Sequence, residues 1–296
     1  MVAKGQLKVS SHSIPWAPSL RARATTLSRL RAAIAGWLRR IVIWPPTRSG
    51  WQFRARHIPL RTMHFELSVV SPLLEAAGGS SAELFELGLR AVRGAPAIDL
   101  RKLHERSMEA REHVSVFPGE HYRLLASLVR CIEPTQVLEI GTYTGLSALA
   151  MLTTLGTEAR LTTFDIVPWR QIPTTALRED DFADGRLEQR VGDLAQVEFF
   201  RQNRDVILAS ELIFVDGPKD GRFEPAFVRQ LLAMQRKERC VLFFDDIRLW
   251  NMLGVWADLP LPKQDLTSFG HWTGSGICRL EATTKRSATP ASSNTA

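Results

Sequence analysis

Carboxylates are absent from the first 65 residues of this 296-residue chain: Glu66 is the first acid, and 12 lysines and arginines precede it. Removing those 12 from the total of 38 basic residues leaves 26 against 31 acids over 66–296, a net of −5. The formal charge of +7 therefore belongs to an N-terminal arm, and the remainder is mildly acidic. Cysteine is scarce as well. Cys131, Cys240 and Cys278 are far apart, form no C-x-x-C pair and have no histidine at zinc-ligand spacing, which excludes a disulfide scaffold and a zinc ribbon. They read as small core residues in a reducing compartment. No apolar run is long enough to span a bilayer, since the longest candidate, over 34–44, is broken by Arg39 and Arg40. Two phosphate-binding signatures are missing too: there is no G-K-[ST] loop and no G-x-G-x-x-G fingerprint after the first strand pattern.

The arm has one ordered signal. Leu20, Leu27, Leu30, Ile34, Leu38 and Ile41 share a helical face, Arg21, Arg29, Arg39 and Arg40 lie elsewhere, and Arg23 intrudes on the stripe. Pro45 and Pro46 stop it. Such a helix over 19–44 can lie on an anionic membrane surface, act as a transit segment, or pack on a neighbouring domain. No nucleic-acid reading module accompanies the basic residues, so no nucleic-acid partner is expected. The chain divides into the arm (1–65), a helical preface (66–116), a main domain (117–283) and a Ser-, Thr- and Ala-rich tail (284–296) expected to be disordered. The preface predicts helices over 65–92 and 97–114, separated by Gly94 and Pro96, and a third helix follows over 120–132.

From Gln136 the pattern changes to short apolar runs alternating with helical stretches. QVLEI, RLTTFDI, LEQRV, ELIFV and CVLFFD are the predicted strands, with helices over 145–155, 194–204, 224–237 and 248–259 between or after them. Apolar runs without polar alternation suit strands covered on both faces, hence an α/β sandwich with a parallel sheet.

The stretch VLEIGTYTGLSAL carries two glycines, Gly141 and Gly145, between the first strand and a helix. Ligands of open α/β sheets sit at this edge, although a strand-to-helix turn can need glycine for geometry alone. Glu139 before the loop would repel a polyanion and favours a cationic ligand. The stretch resembles the cofactor loop of class I S-adenosylmethionine-dependent methyltransferases, particularly the O-methyltransferases related to catechol and caffeoyl-CoA O-methyltransferases. The resemblance covers roughly 117–280. It implies a Rossmann-like, mostly parallel seven-stranded sheet with helices on both faces behind an N-terminal helical extension, and a sulfonium cofactor held by Glu139, Gly141, Thr142, Tyr143, Gly145 and Ser147. It also implies that Asp165 accepts from the ribose hydroxyls and that Asp193 meets the adenine amino group, where helix-capping or turn roles are the alternatives.

LIFVDGPKDG puts Asp216 after the fourth predicted strand, and VLFFDDI puts Asp245 and Asp246 after the fifth. Three converging carboxylates repel unless a cation intervenes, and hard oxygen donors suit Mg²⁺ or a similar ion; as solitary residues they would be caps or solvated loop acids. The family's metal-dependent members place an acid after strand four and an Asp-Asn pair after strand five, so Asp246 departs from the pattern. Lys219 resembles the lysine of the family's D-x-x-K arrangement, which implies a general base; without that context it is a surface lysine. A nearby cation would lower its pKa. Trp250, Trp256, Phe269, His271 and Trp272 are candidates to line an acceptor pocket or to pack the core, and His121 and Tyr122 take no assigned role. These readings add up to an S-adenosylmethionine-dependent, metal-assisted O-methyltransferase of a small hydroxylated molecule, cytoplasmic or peripheral at a membrane, and able to form a homodimer. The alternatives are a nicotinamide-dependent oxidoreductase and a catalytically silent protein attached by its basic arm.

Overall fold

The computed structural model describes residues 79–236 and 238–282. The basic arm, the helix expected over 19–44, the first half of the helix expected over 65–92 and the tail lie outside them. Seven strands form one sheet: β1 (Gln136–Ile140), β2 (Arg160–Asp165), β3 (Leu187–Val191), β4 (Leu212–Val215), β5 (Cys240–Asp245), β6 (Lys263–Asp265) and β7 (Ser275–Leu280). Their order is β3-β2-β1-β4-β5-β7-β6. The first five run parallel, whereas β7 is antiparallel to β5 and β6 is antiparallel to β7.

Alternate residues of the apolar runs feed two separate cores. Val137, Leu161, Phe214 and Phe243 point to one face, against α1 (Ala82–Gly94), α3 (Tyr122–Ile132) and α4 (Leu146–Leu152). Leu138, Phe164, Ile213 and Phe244 point to the other, against α5 (Val197–Gln202), α6 (Arg204–Ala209), α7 (Phe223–Leu232) and α8 (Met252–Asp258). Burial on both faces is why these strands read as continuous apolar runs. Cys240 and Cys278 are free and buried, in keeping with small core residues. No helix among the described residues is long and apolar enough to cross a membrane.

The preface is more broken than its sequence pattern predicts. In place of one helix over 97–114, two short 3₁₀ turns come before α2 (Met108–His113). The physical reason is side-chain competition for the backbone: Asp99 accepts from Arg101 N at 3.0 Å, and Ser107 caps α2 by accepting from Ala110 N at 3.1 Å. The helix expected over 194–204 likewise splits at Asn203, whose amide donates to Phe199 O at 2.8 Å.

Polar groups anchor the antiparallel edge. Lys263 is fully buried, and its Nζ donates to the carbonyls of Trp256, Ala257 and Leu259 at 2.6, 2.9 and 3.1 Å, closing the C-terminus of α8. Arg248 pairs with Asp265 in the same buried layer. Lys263→Met would leave those carbonyls without their charged donor in a dry site and is expected to lower unfolding stability by about 2–3 kcal/mol, read as a shift in urea midpoint at constant slope.

Candidate active site

Gly141 answers the question its motif raises. It turns the chain off β1 at φ +94, and a Cβ there would stand 2.2 Å from the carbonyl oxygen of Asp216. Gly145 (φ +79) opens α4 with the Leu177 side chain 2.3 Å from where its Cβ would be. Both glycines are thus required by close packing behind the loop, and Gly141 brings the ends of β1 and β4 together. Gly141→Ala must displace Asp216 backbone as well as adopt a disfavoured dihedral. We expect it to cost about 2–3 kcal/mol of stability, measured by thermal unfolding.

Glu139 is completely buried at the end of β1. Its Oε1 accepts from Ser147 Oγ at 2.5 Å, and its Oε2 has no hydrogen-bond partner. Burial pushes its carboxyl up to about 7, against the opposing pull of the neighbouring Ser147 and Thr163 hydroxyls. Thr142 and Thr163 share a hydroxyl bond of 2.7 Å beside it. Tyr143, exposed at φ +39, donates its N–H to Asp165 Oδ2 at 2.9 Å, while Asp165 Oδ1 accepts from Val167 N at 3.0 Å. Asp193 accepts from Ala195 N at 2.8 Å and Gln196 Nε2 at 3.1 Å. A cavity of about 700 Å³ is lined by Gly141, Tyr143, Asp165, Asp193 and Asp216, with Phe164 and Phe223 as apolar walls. Four of the eight sequence-predicted cofactor residues therefore face it; Glu139, Thr142, Gly145 and Ser147 are not among the residues that line it.

The acid corner follows from strand register. Val215 of β4 pairs with Phe244 of β5, so Asp216 and Asp245 emerge side by side. Lys219, in a left-handed conformation (φ +53), is tied by its N–H to Glu224 Oε1 at 2.8 Å. Its ammonium bonds Asp216 and lies 3.0 Å from Asp246 Oδ2. Burial pulls its pKa down, but Asp216, Asp246 and Asp245 together raise it above the ordinary lysine range. The carboxylates thus make the lysine more basic, opposite to the lowering that its general-base reading in the sequence calls for.

Two histidines complete the corner: His121, to which the sequence assigns no role, and His271, which it offers only for an acceptor pocket or the core. His121 Nδ1 stands 3.3 Å from Asp245 Oδ2, and His271 Nδ1 stands 3.2 Å from Asp245 Oδ1 and 3.4 Å from Asp246 Oδ1. His271 Nε2 is 3.2 Å from Glu120 Oε2. Burial opposes protonation of His271, yet Asp245, Asp246 and Glu120 push it up to about 12. The same contacts work in reverse on Asp245: burial favours its neutral form, and the imidazoles hold it well below the usual carboxylate range. A short strap makes this meeting possible, since Gly119 N donates to Gly270 O at 3.0 Å and Trp272 N donates to Gly119 O at 3.1 Å. Nothing in the linear spacing of His121 and His271 signals that contact.

Among the described residues, three groups place potential ligand atoms within 4.8 Å of one another: Glu120, His121 and His271; His121, Asp216 and Asp245; Asp245, Asp246 and His271. The three predicted carboxylates share one corner, with imidazoles interposed and Asp246 also accepting from Thr273 Oγ1. Such mixed oxygen and nitrogen donors fit a divalent ion. Of the candidate acceptor aromatics, Trp256 is 2% exposed and packs on Phe244, so it belongs to the core. Trp250, Phe269 and Trp272 are 54%, 41% and 42% exposed. Tyr122 is buried with the α3 core.

A parallel sheet reversing its order between β1 and β4, with a glycine loop and strand-end acids around one cavity, defines a Rossmann-like class I methyltransferase. The model of the O-methyltransferase family matches residues 97–265, and the chain belongs to that family; it is an S-adenosylmethionine-dependent methyltransferase. Solved structures with similarity include a putative caffeoyl-CoA O-methyltransferase from Staphylococcus aureus (16% identity, TM-score 0.42, covering 53% of this chain and 81% of that one). Another is the O-methyltransferase TomG from Streptomyces achromogenes, involved in tomaymycin synthesis and solved in complex with SAM (16% identity, TM-score 0.40, covering 55% and 79%). A third is a methyltransferase from Geobacter sulfurreducens (15% identity, TM-score 0.40, covering 54% and 78%).

Proposed function

We propose that the protein moves the methyl group of S-adenosylmethionine to a hydroxyl of a small molecule, with a divalent ion assisting at the Asp216 and Asp245 corner. The observation that carries this reading is one cavity running from Asp165 and Asp193 to Asp216. In it, Asp165 retains lone pairs for the ribose hydroxyls after accepting two backbone bonds, and Asp193, on the same cavity wall, is assigned to the adenine end. The unpartnered Oε2 of Glu139 supplies negative charge behind the loop for a cationic cofactor.

The acceptor oxygen attacks the methyl carbon in line, the carbon–sulfur bond breaks with its electron pair remaining on sulfur, and the hydroxyl proton passes to a base. Lys219 is assigned that role once the charge of Asp216, Asp245 and Asp246 is engaged elsewhere and no longer holds its proton. A bound divalent ion would lower the pKa of the acceptor hydroxyl and fix its direction. Trp250, Phe269 and Trp272 provide apolar surface on the acceptor side. Calorimetric titration with S-adenosylmethionine and with NAD tests the cofactor. Saturable binding of the first, weakened at least ~10-fold by Asp165→Ala, is expected; binding of NAD alone would reject the reading.

A further inference from the structure

His121 has no hydrogen-bond partner for either ring nitrogen although it is buried to 4% exposure. Its Nδ1 is close to Asp245 without the alignment of a hydrogen bond. A neutral imidazole carries one lone-pair nitrogen; with Nδ1 in only the ion-pair contact to Asp245 and Nε2 without a partner, a dry site leaves hydrogen-bonding capacity that a ligand could take up. Glu120, Asp216, Asp245 and Asp246 gather around this ring and its neighbours and outnumber the cations Lys219 and His271 set among them. The nitrogen and one oxygen each from Asp216 and Asp245 lie within 4.8 Å of one another. That limit equals twice a metal–ligand bond of about 2.4 Å, the widest separation one ion can bridge.

We propose that His121 is itself a metal ligand, joining Asp216 and Asp245 in a mixed imidazole and carboxylate centre that selects a first-row transition ion such as Mn²⁺, Co²⁺ or Zn²⁺ over Mg²⁺. Mg²⁺ prefers oxygen donors and retains water, whereas imidazole nitrogen suits the transition ions. Asp216 lines the cavity, so an ion on this face has open positions toward the acceptor. Lys219 shares Asp216 with it and bridges Asp216 and Asp246. The proposal rests on the reading that this corner holds a divalent ion, and it adds the nitrogen ligand and the ion class.

The test uses the full chain freed of metal, titrated calorimetrically with Mn²⁺ and with Mg²⁺, and examined as the Mn²⁺ form by pulsed electron paramagnetic resonance. Mn²⁺ should bind at least ~10-fold tighter than Mg²⁺, and its echo should show modulation from a directly bound ¹⁴N. His121→Gln should abolish that modulation and weaken Mn²⁺ at least ~10-fold while S-adenosylmethionine still binds, which also shows that the variant folds; His104→Gln should change neither. Mn²⁺ binding with no nitrogen modulation, or equal affinity for Mg²⁺, overturns the proposal and leaves divalent assistance standing. Modulation that survives His121→Gln and disappears in His271→Gln also overturns it, by moving the ligand to the other histidine. Failure of every ion to bind overturns both this proposal and the metal-assisted reading.

Discussion

Lys219→Ala is expected to lower methyl transfer at least ~10²-fold at saturating substrates while tightening divalent-ion binding. Both effects have one cause. The ammonium sits on Asp216 and faces Asp246, so in the metal-free protein it neutralises carboxylates that an ion would otherwise take. Removing it leaves buried acids repelling one another, and a divalent ion then relieves more repulsion than before. The same substitution deletes the group assigned to receive the acceptor proton. Lys219→Arg separates the two roles, because it retains the charge that competes with the ion but is too basic to accept a proton. Rates with labelled methyl donor and ion titrations on both variants decide the matter. Retained full activity in Lys219→Ala would remove the lysine from the mechanism, and unchanged ion affinity would show that it does not compete at Asp216.

Glu139→Gln is expected to stabilise the cofactor-free protein at pH 8 and to weaken S-adenosylmethionine binding. The buried carboxyl has its pKa raised to about 7 from an ordinary 4.5. Between those values the folded protein keeps a proton that the unfolded chain has lost, so stability from this group is complete below pH 4.5 and falls as pH rises to 7. The total loss is about 3 kcal/mol, at about 1.4 kcal/mol for each pH unit between the two values. A neutral amide removes the titration, so urea unfolding of the variant should be flatter between pH 5 and 8 than that of the parent. The same negative charge is proposed to favour a sulfonium cofactor, so affinity should fall by about 10-fold or more at pH 8. In the parent, affinity should rise from pH 5 to 7 with proton release, because a cation stabilises the ionised form. A variant that loses stability at pH 8, or binds the cofactor as tightly as the parent, would contradict this account of the site.

How much of this fold and site is readable from residues alone depends on how far apart the partners lie in the chain. The five parallel strands are legible because their two-sided burial leaves unbroken apolar runs such as CVLFFD. Asp165, Asp193 and Asp216 are legible because each ends or closely follows one of those strands, and strand ends converge. Strands β6 and β7 are not legible in the same way. KQD has no apolar residue, and its burial depends on Lys263 reaching three carbonyls and Asp265 meeting Arg248, which no local pattern encodes. His121 and His271 read as bland for a similar reason: they meet only through the strap at Gly119 and Gly270. The lysine's charge state is also hidden, because its sign depends on whether the acids around it are already neutralised.

That strap has a consequence for specificity. On the proposed reading the donor is held by cavity-lining residues from Gly141 to Asp193, whereas His271 and the exposed Phe269 and Trp272, offered for the acceptor, come from the separate connection between β6 and β7. Substitutions in that connection are then expected to change which molecule is modified while leaving the cavity-lining residues intact. On that reading donor handling and acceptor choice rest on different segments of the chain.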